Sequence, residues 1–398
     1  MHRSGPQKSP TVALVWAQFA AYHVDRCEAV ARRLDGRAEV LAVEVATASK
    51  VYAWEPSGSV AGAHKITLFP GQSYEQIAPF QRFKAMFRAL RHCDWVMIGI
   101  SYADPSIIML TWALRLCGVK LVVFSESKDD DKPRKASRER VKRLVLSCYH
   151  GAIVGATRHI AYMRKLGFGS RPVLPGYDGV GLERIRRQAG GKLAPDGHPF
   201  TDRDFVFVGR FVDKKNLINL LEGYALYVQA AGPAARRLVL AGSGADEPEM
   251  RSVIARHGLG ERVVFPGFLT AEQVSVLLAR SLALVLVSRE EQWGLVVNEA
   301  LALGLPAIVS HQVGSGDVLV RDGGNGFVVD SESPHQIATA MDRIAGDEAA
   351  WQRFVQVSHA KAWLGDTDRL ADAVEAMIGL TPPASAGRLG EFLEAAGG

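Results

Sequence analysis

The 398-residue sequence is poor in cysteine and has no long apolar run. Its four cysteines, Cys27, Cys93, Cys117 and Cys148, show no paired spacing. That excludes a disulfide-stapled scaffold and a zinc knuckle, and it reads as the reduced thiols of a cytoplasmic protein. Unbroken apolar stretches such as Leu282 to Val287 fall far short of the roughly 20 residues a membrane-crossing helix needs. Met1 to Pro10 is polar and no apolar segment follows it, so no secretory signal is expected. Gly-x4-Gly-Lys-Ser/Thr is absent, which removes a P-loop nucleotide triphosphatase. Gly-x-Gly-x-x-Gly is absent as well. Gly242-Ser-Gly244 lacks the third glycine and the first strand has none, which argues against a dinucleotide-dependent oxidoreductase.

What is present is ordinary in bulk and lopsided in distribution. Hydrophobic residues make up 48% and charged residues 22%, as in a globular protein. The length exceeds what one core usually organises, so two domains are expected. The net charge of +5 conceals a split. Residues 1–199 hold 30 Lys+Arg against 17 Asp+Glu, a balance of +13; residues 200–398 hold 17 against 25, a balance of −8. The basic half suits an anionic partner, and nucleic acid, a membrane surface and a phosphorylated substrate all fit. A polynucleotide binder would account for the charge but for none of the motifs below.

Short apolar runs alternate with helical patterns in both halves. Thr11 to Trp16, Val40 to Val45, Ile66 to Phe69, Trp95 to Ile100, Leu121 to Phe124 and Ala152 to Val154 read as buried strands. Stretches near 22–34, 74–92, 105–117, 135–148 and 157–166 read as the helices between them. A second set begins at Asp204, with strands at Phe205 to Val208, Leu238 to Leu240, Val263 to Phe265, Leu282 to Val287, Ala307 to Val309 and Phe327 to Val329. Such alternation predicts an α/β chain of two Rossmann-like, doubly wound domains facing a central cleft, with a helical C-terminus. The expected boundaries are 1–175 for the first domain, 176–200 for a Gly- and Pro-rich linker, 201–365 for the second, and 366–398 for a C-terminal helix that could cross back to the first.

Chemistry concentrates in the second half. Ser288 to Pro306 runs from a strand end through a polar loop into a helix opening near Gly294 or Leu295, whose free N–H groups make an anion site. Glu291 and Glu299 flank that site, where carboxylates suit sugar or ribose hydroxyls rather than phosphate. Gly209-Arg210 to Lys215-Asn216 is a second strand end and turn, with Asn216 expected to cap the next helix. Arg210 and Lys215 can converge on a diphosphate, one as a fork and one as a point charge.

Glu291 and Glu299, with seven residues between them, resemble the E-x7-E signature of retaining family-4 glycosyltransferases of the GT-B fold, the glycosyl transferases group 1. Gly209-Arg210 to Lys215 resembles that family's G-R-x4-K clamp. Leu240 to Gly244, Val264 to Phe268, Trp293-Gly294 and Gly304 to Pro306 follow in family order. The resemblance implies a hexosyl-transferring enzyme that uses a nucleoside-diphosphate sugar as substrate and no metal. It implies that Arg210, Lys215 and Glu291 are catalytic. Donor binding would fall to Gly209, Arg210, Lys215, Gly242, Phe265, Gly267, Phe268, Glu291, Gln292, Trp293, Gly294, Leu295 and Glu299. Glu299 would meet the ribose and Glu291 the sugar. A catalytically silent scaffold with the same fold stays open, as does a soluble small-molecule acceptor.

The first half departs from the family. Gln18 to His23 lacks the glycines expected after the first strand, and Ser101 to Asp104 stands where a histidine is usual. Acceptor-side candidates are His23, Asp104, Glu126, Lys132 and Arg134, with Asp104 equally placed to cap a helix. Asp129-x-Asp131 matches a metal-binding D-x-D of the other glycosyltransferase fold, but its surroundings do not, and a flexible acceptor loop is the better reading. Phe80, Phe83 and Phe87 form a helical stripe beside basic residues, which suits either a core face or an interfacial helix. The family commonly serves lipid-linked acceptors. The expectation is therefore an anionic glycan or lipid-linked acceptor in cell-surface polysaccharide or glycolipid synthesis, met by a cytoplasmic protein with peripheral contact at the inner membrane face and no nucleic-acid partner.

Overall fold

The computed structural model describes residues 9–50, 57–131, 134–380 and 383–397. Met1 to Lys8 and Lys132, both used above, lie outside the described residues. The chain divides into two compact units. One holds the described residues up to Glu126, from 134 to Gly179 and from Thr367 to Leu393; the other holds 127–131, Val180 to Asp366 and the described residues from Glu394.

The first unit runs β1 (Thr11–Trp16), α1 (Ala21–Leu34), β2 (Glu39–Ala48), β3 (His64–Ser73), α2 (Pro79–Leu90), β4 (Trp95–Ile98), α3 (Pro105–Leu116), β5 (Lys120–Ser125), α4 (Ala136–Leu146), β6 (Gly151–Val154), α5 (Thr157–Met163) and β7 (Val173–Leu174). All seven strands pair in parallel in the order β3-β2-β1-β4-β5-β6-β7. Val12 to Val15 are wholly buried. An unbroken apolar strand is what a sheet covered on both faces requires. Ala13, Val15, Val96 and Val123 pack with α2, α3, α4 and α5 on one face; Val12, Leu14, Met97 and Val122 pack with α1 on the other.

The second unit contains α6 (Leu182–Ala189), β8 (Phe205–Val208), α7 (Leu217–Ala231), β9 (Leu238–Ala241), α8 (Glu247–Arg256), β10 (Val263–Gly267), α9 (Ala271–Arg280), β11 (Ala283–Leu286), α10 (Leu295–Ala302), β12 (Ala307–Ser310), α11 (Gly316–Leu319), β13 (Gly326–Val329), α12 (Pro334–Ala345) and α13 (Glu348–Lys361). Its six parallel strands are ordered β10-β9-β8-β11-β12-β13. Strand order therefore reverses at β8. Ligands of such sheets sit beyond the strand carboxyl ends at that switch point. The Gly- and Pro-rich stretch expected as a linker carries α6, because Leu182 and Ile185 bury one face of a short helix bounded by Gly181 and Gly190.

Two further helices, α14 (Asp368–Met377) and α15 (Pro383–Gly397), complete the chain. α14 lies on α1 in the first unit. Its apolar face, Leu370, Ala371, Ala373 and Val374, joins the α1 side of the core. Its carboxylates sit under the arginines of α1: Arg33 pairs with Asp372, and Arg37 with Glu375 at 2.5 Å. Asp372 also receives Arg369 at 3.1 Å and Arg388 at 2.9 Å, so this buried charge is compensated on several sides.

Candidate functional site

At the carboxyl edge of the second sheet, the turns after β8, β9 and β10 are stitched to one another. The Gly209 N–H donates to Ala241 O at 3.0 Å, Phe211 N–H to Ser243 O at 2.9 Å, and Gly242 N–H to Gly267 O at 2.9 Å. A Cβ on Gly242 would stand 1.9 Å from the Gly209 carbonyl oxygen. Only glycine lets these two turns touch at that point. Bare backbone is thereby left at the rim where the switch point opens.

The clamp turn follows as a short 3-10 turn, Asp213–Lys215. Asn216 does not cap α7 with its side chain, contrary to the sequence expectation. It takes a left-handed conformation at φ 59°, which asparagine tolerates, and its amide donates to Val287 O at 3.0 Å and Ser331 O at 2.7 Å. It is 1% exposed, so these two bonds pin the clamp turn to the loop after β11. The backbone N–H groups of Arg289 and Glu290 reinforce the link by donating to Lys214 O at 2.8 and 3.3 Å.

Pinning brings the two motifs together. The Lys215 ammonium forms an ion pair with the Glu291 carboxylate, each side chain about one-seventh exposed. Ser288 Oγ donates to the same carboxylate oxygen at 3.3 Å. Three residues on, Gly294 at φ 95° turns the chain into α10. Trp293 is buried, and its indole N–H donates to Asn298 Oδ1 at 2.9 Å; Asn298 in turn donates to Gly365 O at 3.0 Å. That relay fixes the loop from the inside. Nothing in the sequence singles out Asn298, since an amide at that helical position has no chemistry of its own.

Glu299 sits half-buried on α10, five residues beyond its glycine, and Leu295 opens the helix. Arg210 and Gln292 are exposed at the rim. Phe265 lies under the Arg251 guanidinium at 4.5 Å, whereas Phe268 stands 68% exposed just past the Gly267 turn. The edge thus offers a cation, a carboxylate, free helix N–H groups and an aromatic shelf, which can together hold a phosphate, hydroxyls and a flat ring.

In the first unit the acceptor-side candidates are mostly engaged. His23 is 5% exposed, and its Nδ1 accepts from the Ala20 N–H at 2.9 Å at the start of α1. Burial, followed by the charge of Arg26, holds its pKa well below 6.5, so the ring is neutral. Asp104 caps α3 by accepting from Ser106 N–H at 2.8 Å, takes the Tyr74 hydroxyl at 3.0 Å and pairs with Arg82 at 3.1 Å. Arg134 lies over the Tyr162 ring at 4.4 Å. The Asp129–Asp131 run, which belongs to the second unit, is a 3-10 turn in which Lys128, itself buried, pairs with Asp130 at 3.2 Å and Asp131 at 3.0 Å. Two carboxylates of the expected acceptor loop thus share one buried ammonium.

Glu126 joins a cluster that sequence reading missed. Buried Asp178 feels the charge of Glu126, and Arg26 stands 3.6 Å from Asp178 between the rings of Tyr22 and Tyr177. Burial, then repulsion from Glu126, raises the Asp178 pKa well above 3.8. A group that binds its proton more tightly when folded loses stability as pH rises above the unfolded pKa. Asp178→Asn is therefore expected to melt at or above the wild-type temperature at neutral pH. The gap should close as pH falls toward 3.8; scanning calorimetry across that range checks it, and a variant that melts below wild type at neutral pH contradicts the raised pKa.

Residues 193–359 match the profile of the family described as Glycosyl transferases group 1. The match lies within the second unit, so what the chain shares with the glycosyl transferases group 1 is this nucleotide-site half. An α-D-kanosaminyltransferase of Streptomyces kanamyceticus is 30% identical over 161 residues, 39% of this chain and 40% of that protein. A D-inositol 3-phosphate glycosyltransferase of Streptomyces scabiei is 28% identical over 258 residues, 62% of this chain and 57% of that protein. The chain thus spans about half the length of the curated relatives it matches. Its fold is GT-B. The solved structure of Anabaena HepE in complex with UDP and glucose superposes with a TM-score of 0.66 at 16% identity, over 92% of this chain and 98% of that one.

Proposed function

We propose that the chain is a glycosyltransferase that moves a sugar from a nucleoside-diphosphate sugar to an anionic acceptor, a glycan or a lipid-linked sugar, in cell-surface polysaccharide or glycolipid synthesis. The observation that carries this reading is the Lys215–Glu291 ion pair, set between the glycine turns and the N-terminus of α10. Lys215 and Arg210 hold the diphosphate, with the α10 N–H groups beside them. Glu299 takes ribose hydroxyls, Phe265 and Phe268 border the base, and Glu291 holds the transferred sugar.

Leaving-group charge is then stabilised by fixed cations and helix N–H groups, which suits a metal-free, front-face transfer with retention at the anomeric carbon. The acceptor is received by the first unit. Its residues in the first half of the chain carry the positive balance, and one relative is named for a phosphorylated acceptor. The protein works in the cytoplasm, at the inner face of a membrane. Among the described residues no helix is long and apolar enough to cross one.

The test is turnover of a nucleotide-sugar panel with a membrane extract. Transfer is expected to persist in EDTA, and proton NMR should show the donor's anomeric configuration in the product. An inverted product, or activity lost on chelation and restored by Mg²⁺, overturns the mechanism. Turnover with a soluble, uncharged acceptor alone overturns the acceptor class. No turnover by a protein that still binds nucleoside diphosphate identifies a silent scaffold.

A further inference from the structure

Nine large apolar side chains stand exposed among the described residues, and six of them lie on three helices of the first unit. Phe80 is on α2; Met109, Trp112 and Leu116 are on α3; Val141 and Leu144 are on α4. These helices cover one face of the first sheet, because their inward residues Met86, Leu110 and Leu146 share a single core cluster. On α3 the exposed residues recur at spacings of three and four, which makes one outward stripe. Leu116 is 89% exposed. Phe83 and Phe87, by contrast, pack against the core, so the aromatic stripe read from the sequence divides between inside and outside.

Charge on this face has one sign. Lys84, Arg88, Arg115, Arg138, Arg140 and Arg143 are exposed on the same three helices. The three helices contain one acidic residue, Glu139. It is buried and bonded to Lys142 and the Tyr162 hydroxyl, so it offers no carboxylate to the outside. The α1–α14 side is different, with Asp25, Glu28, Asp368, Asp372 and Glu375 among its arginines. A cationic helix layer studded with large apolar tips is costly to leave in water, and a surface that presents anions above hydrocarbon satisfies both features.

We propose that the outer face of α2, α3 and α4 docks on an anionic lipid surface, with Trp112, Leu116 and Met109 entering the headgroup boundary and the arginines pairing with lipid phosphates. The apolar residues are set singly among arginines rather than gathered in a groove. Each can enter a fluid interface independently, whereas a folded acidic protein would have to match their spacing. Tryptophan favours the boundary because its ring is apolar and its N–H stays near water. This deepens the membrane-side part of the function proposed above and rests on it.

Co-sedimentation of the full chain with phosphatidylcholine vesicles, with and without phosphatidylglycerol, tests it without any donor. Binding is expected only with phosphatidylglycerol and should weaken steeply with salt. Changing Arg138, Arg140 and Arg143 together to Gln should cost about a hundredfold, at roughly a fivefold loss per basic residue. Trp112→Ser with Leu116→Ser should cost about tenfold while leaving the salt dependence in place. Unchanged melting temperatures separate these losses from misfolding, because all five side chains are exposed. Indifference to phosphatidylglycerol vesicles at low salt overturns the proposal. Full binding by the Trp112/Leu116 double variant, with equally tight binding to polyglutamate, assigns the face to an acidic macromolecule and also overturns it. A protein that binds vesicles but no nucleoside diphosphate keeps this inference and loses the transfer reaction; the converse result loses only the membrane.

Discussion

Lys215→Ala is expected to weaken nucleoside-diphosphate binding about tenfold to a hundredfold, since a charge-assisted phosphate contact is worth about 1.5–3 kcal/mol. Turnover should fall further, by about a hundredfold or more, because the ammonium meets more charge as the leaving diphosphate separates from the sugar. The structure adds a reason why neighbouring Lys214 does not substitute. Its carbonyl is held by the backbone of Arg289 and Glu290, and the turn sends Lys215, not Lys214, to Glu291. Lys214→Ala is thus the matched control and should leave both quantities within a few-fold of wild type. Arg210→Ala should resemble Lys215→Ala more mildly, because an exposed guanidinium at the rim is partly screened by water. Calorimetry with UDP, GDP and ADP reads the binding. Equal losses for Lys214→Ala and Lys215→Ala would remove the geometric basis for naming one lysine.

The fold was legible because each half repeats a single signal: an apolar run, then a helical period, in strands buried on both faces. Thr11–Trp16 and Phe205–Val208 have the ends read from sequence. β7 escaped because it is two residues long and sits among glycines and prolines. α6 escaped because Leu182 and Ile185 are only two apolar anchors in eight residues. Motif spacing brought Lys215 and Glu291 to notice without showing that they touch, since 76 residues separate them and β8 and β11 must first pair. Asn216 was misassigned for a related reason. An asparagine before a helix usually caps it locally, but here two distant carbonyls, Val287 O and Ser331 O, compete for its amide and win. The Glu126–Asp178–Arg26 cluster left no local trace, because it is assembled from the end of β5, the turn after β7 and the middle of α1.

Glu291→Gln should separate binding from turnover in opposite directions. In the free protein Glu291 occupies the Lys215 ammonium, so an arriving diphosphate must displace a carboxylate that is largely sheltered from water. Glutamine removes that competitor and a negative charge beside the phosphates. Affinity for a nucleoside diphosphate should therefore stay level or rise by up to about tenfold, the order expected for one charge interaction near a protein surface. On the proposed function, the displaced carboxylate would also make the site selective for a whole donor. Once Lys215 turns to the diphosphate, Glu291 is released to accept sugar hydroxyls, and an amide accepts them with half the capacity and no charge. Turnover should then fall about a hundredfold, with the loss in kcat rather than in donor KM. Glu299→Gln provides the contrast, because a ribose contact is lost equally by free nucleotide and by donor, and both affinities should drop together. Calorimetry with UDP and UDP-sugar on the two variants, alongside steady-state kinetics, reads all four quantities. If Glu291→Gln weakens free nucleotide tenfold while Glu299→Gln spares it, the two carboxylates exchange roles, and the Lys215–Glu291 pair marks the ribose end of the site rather than the sugar end.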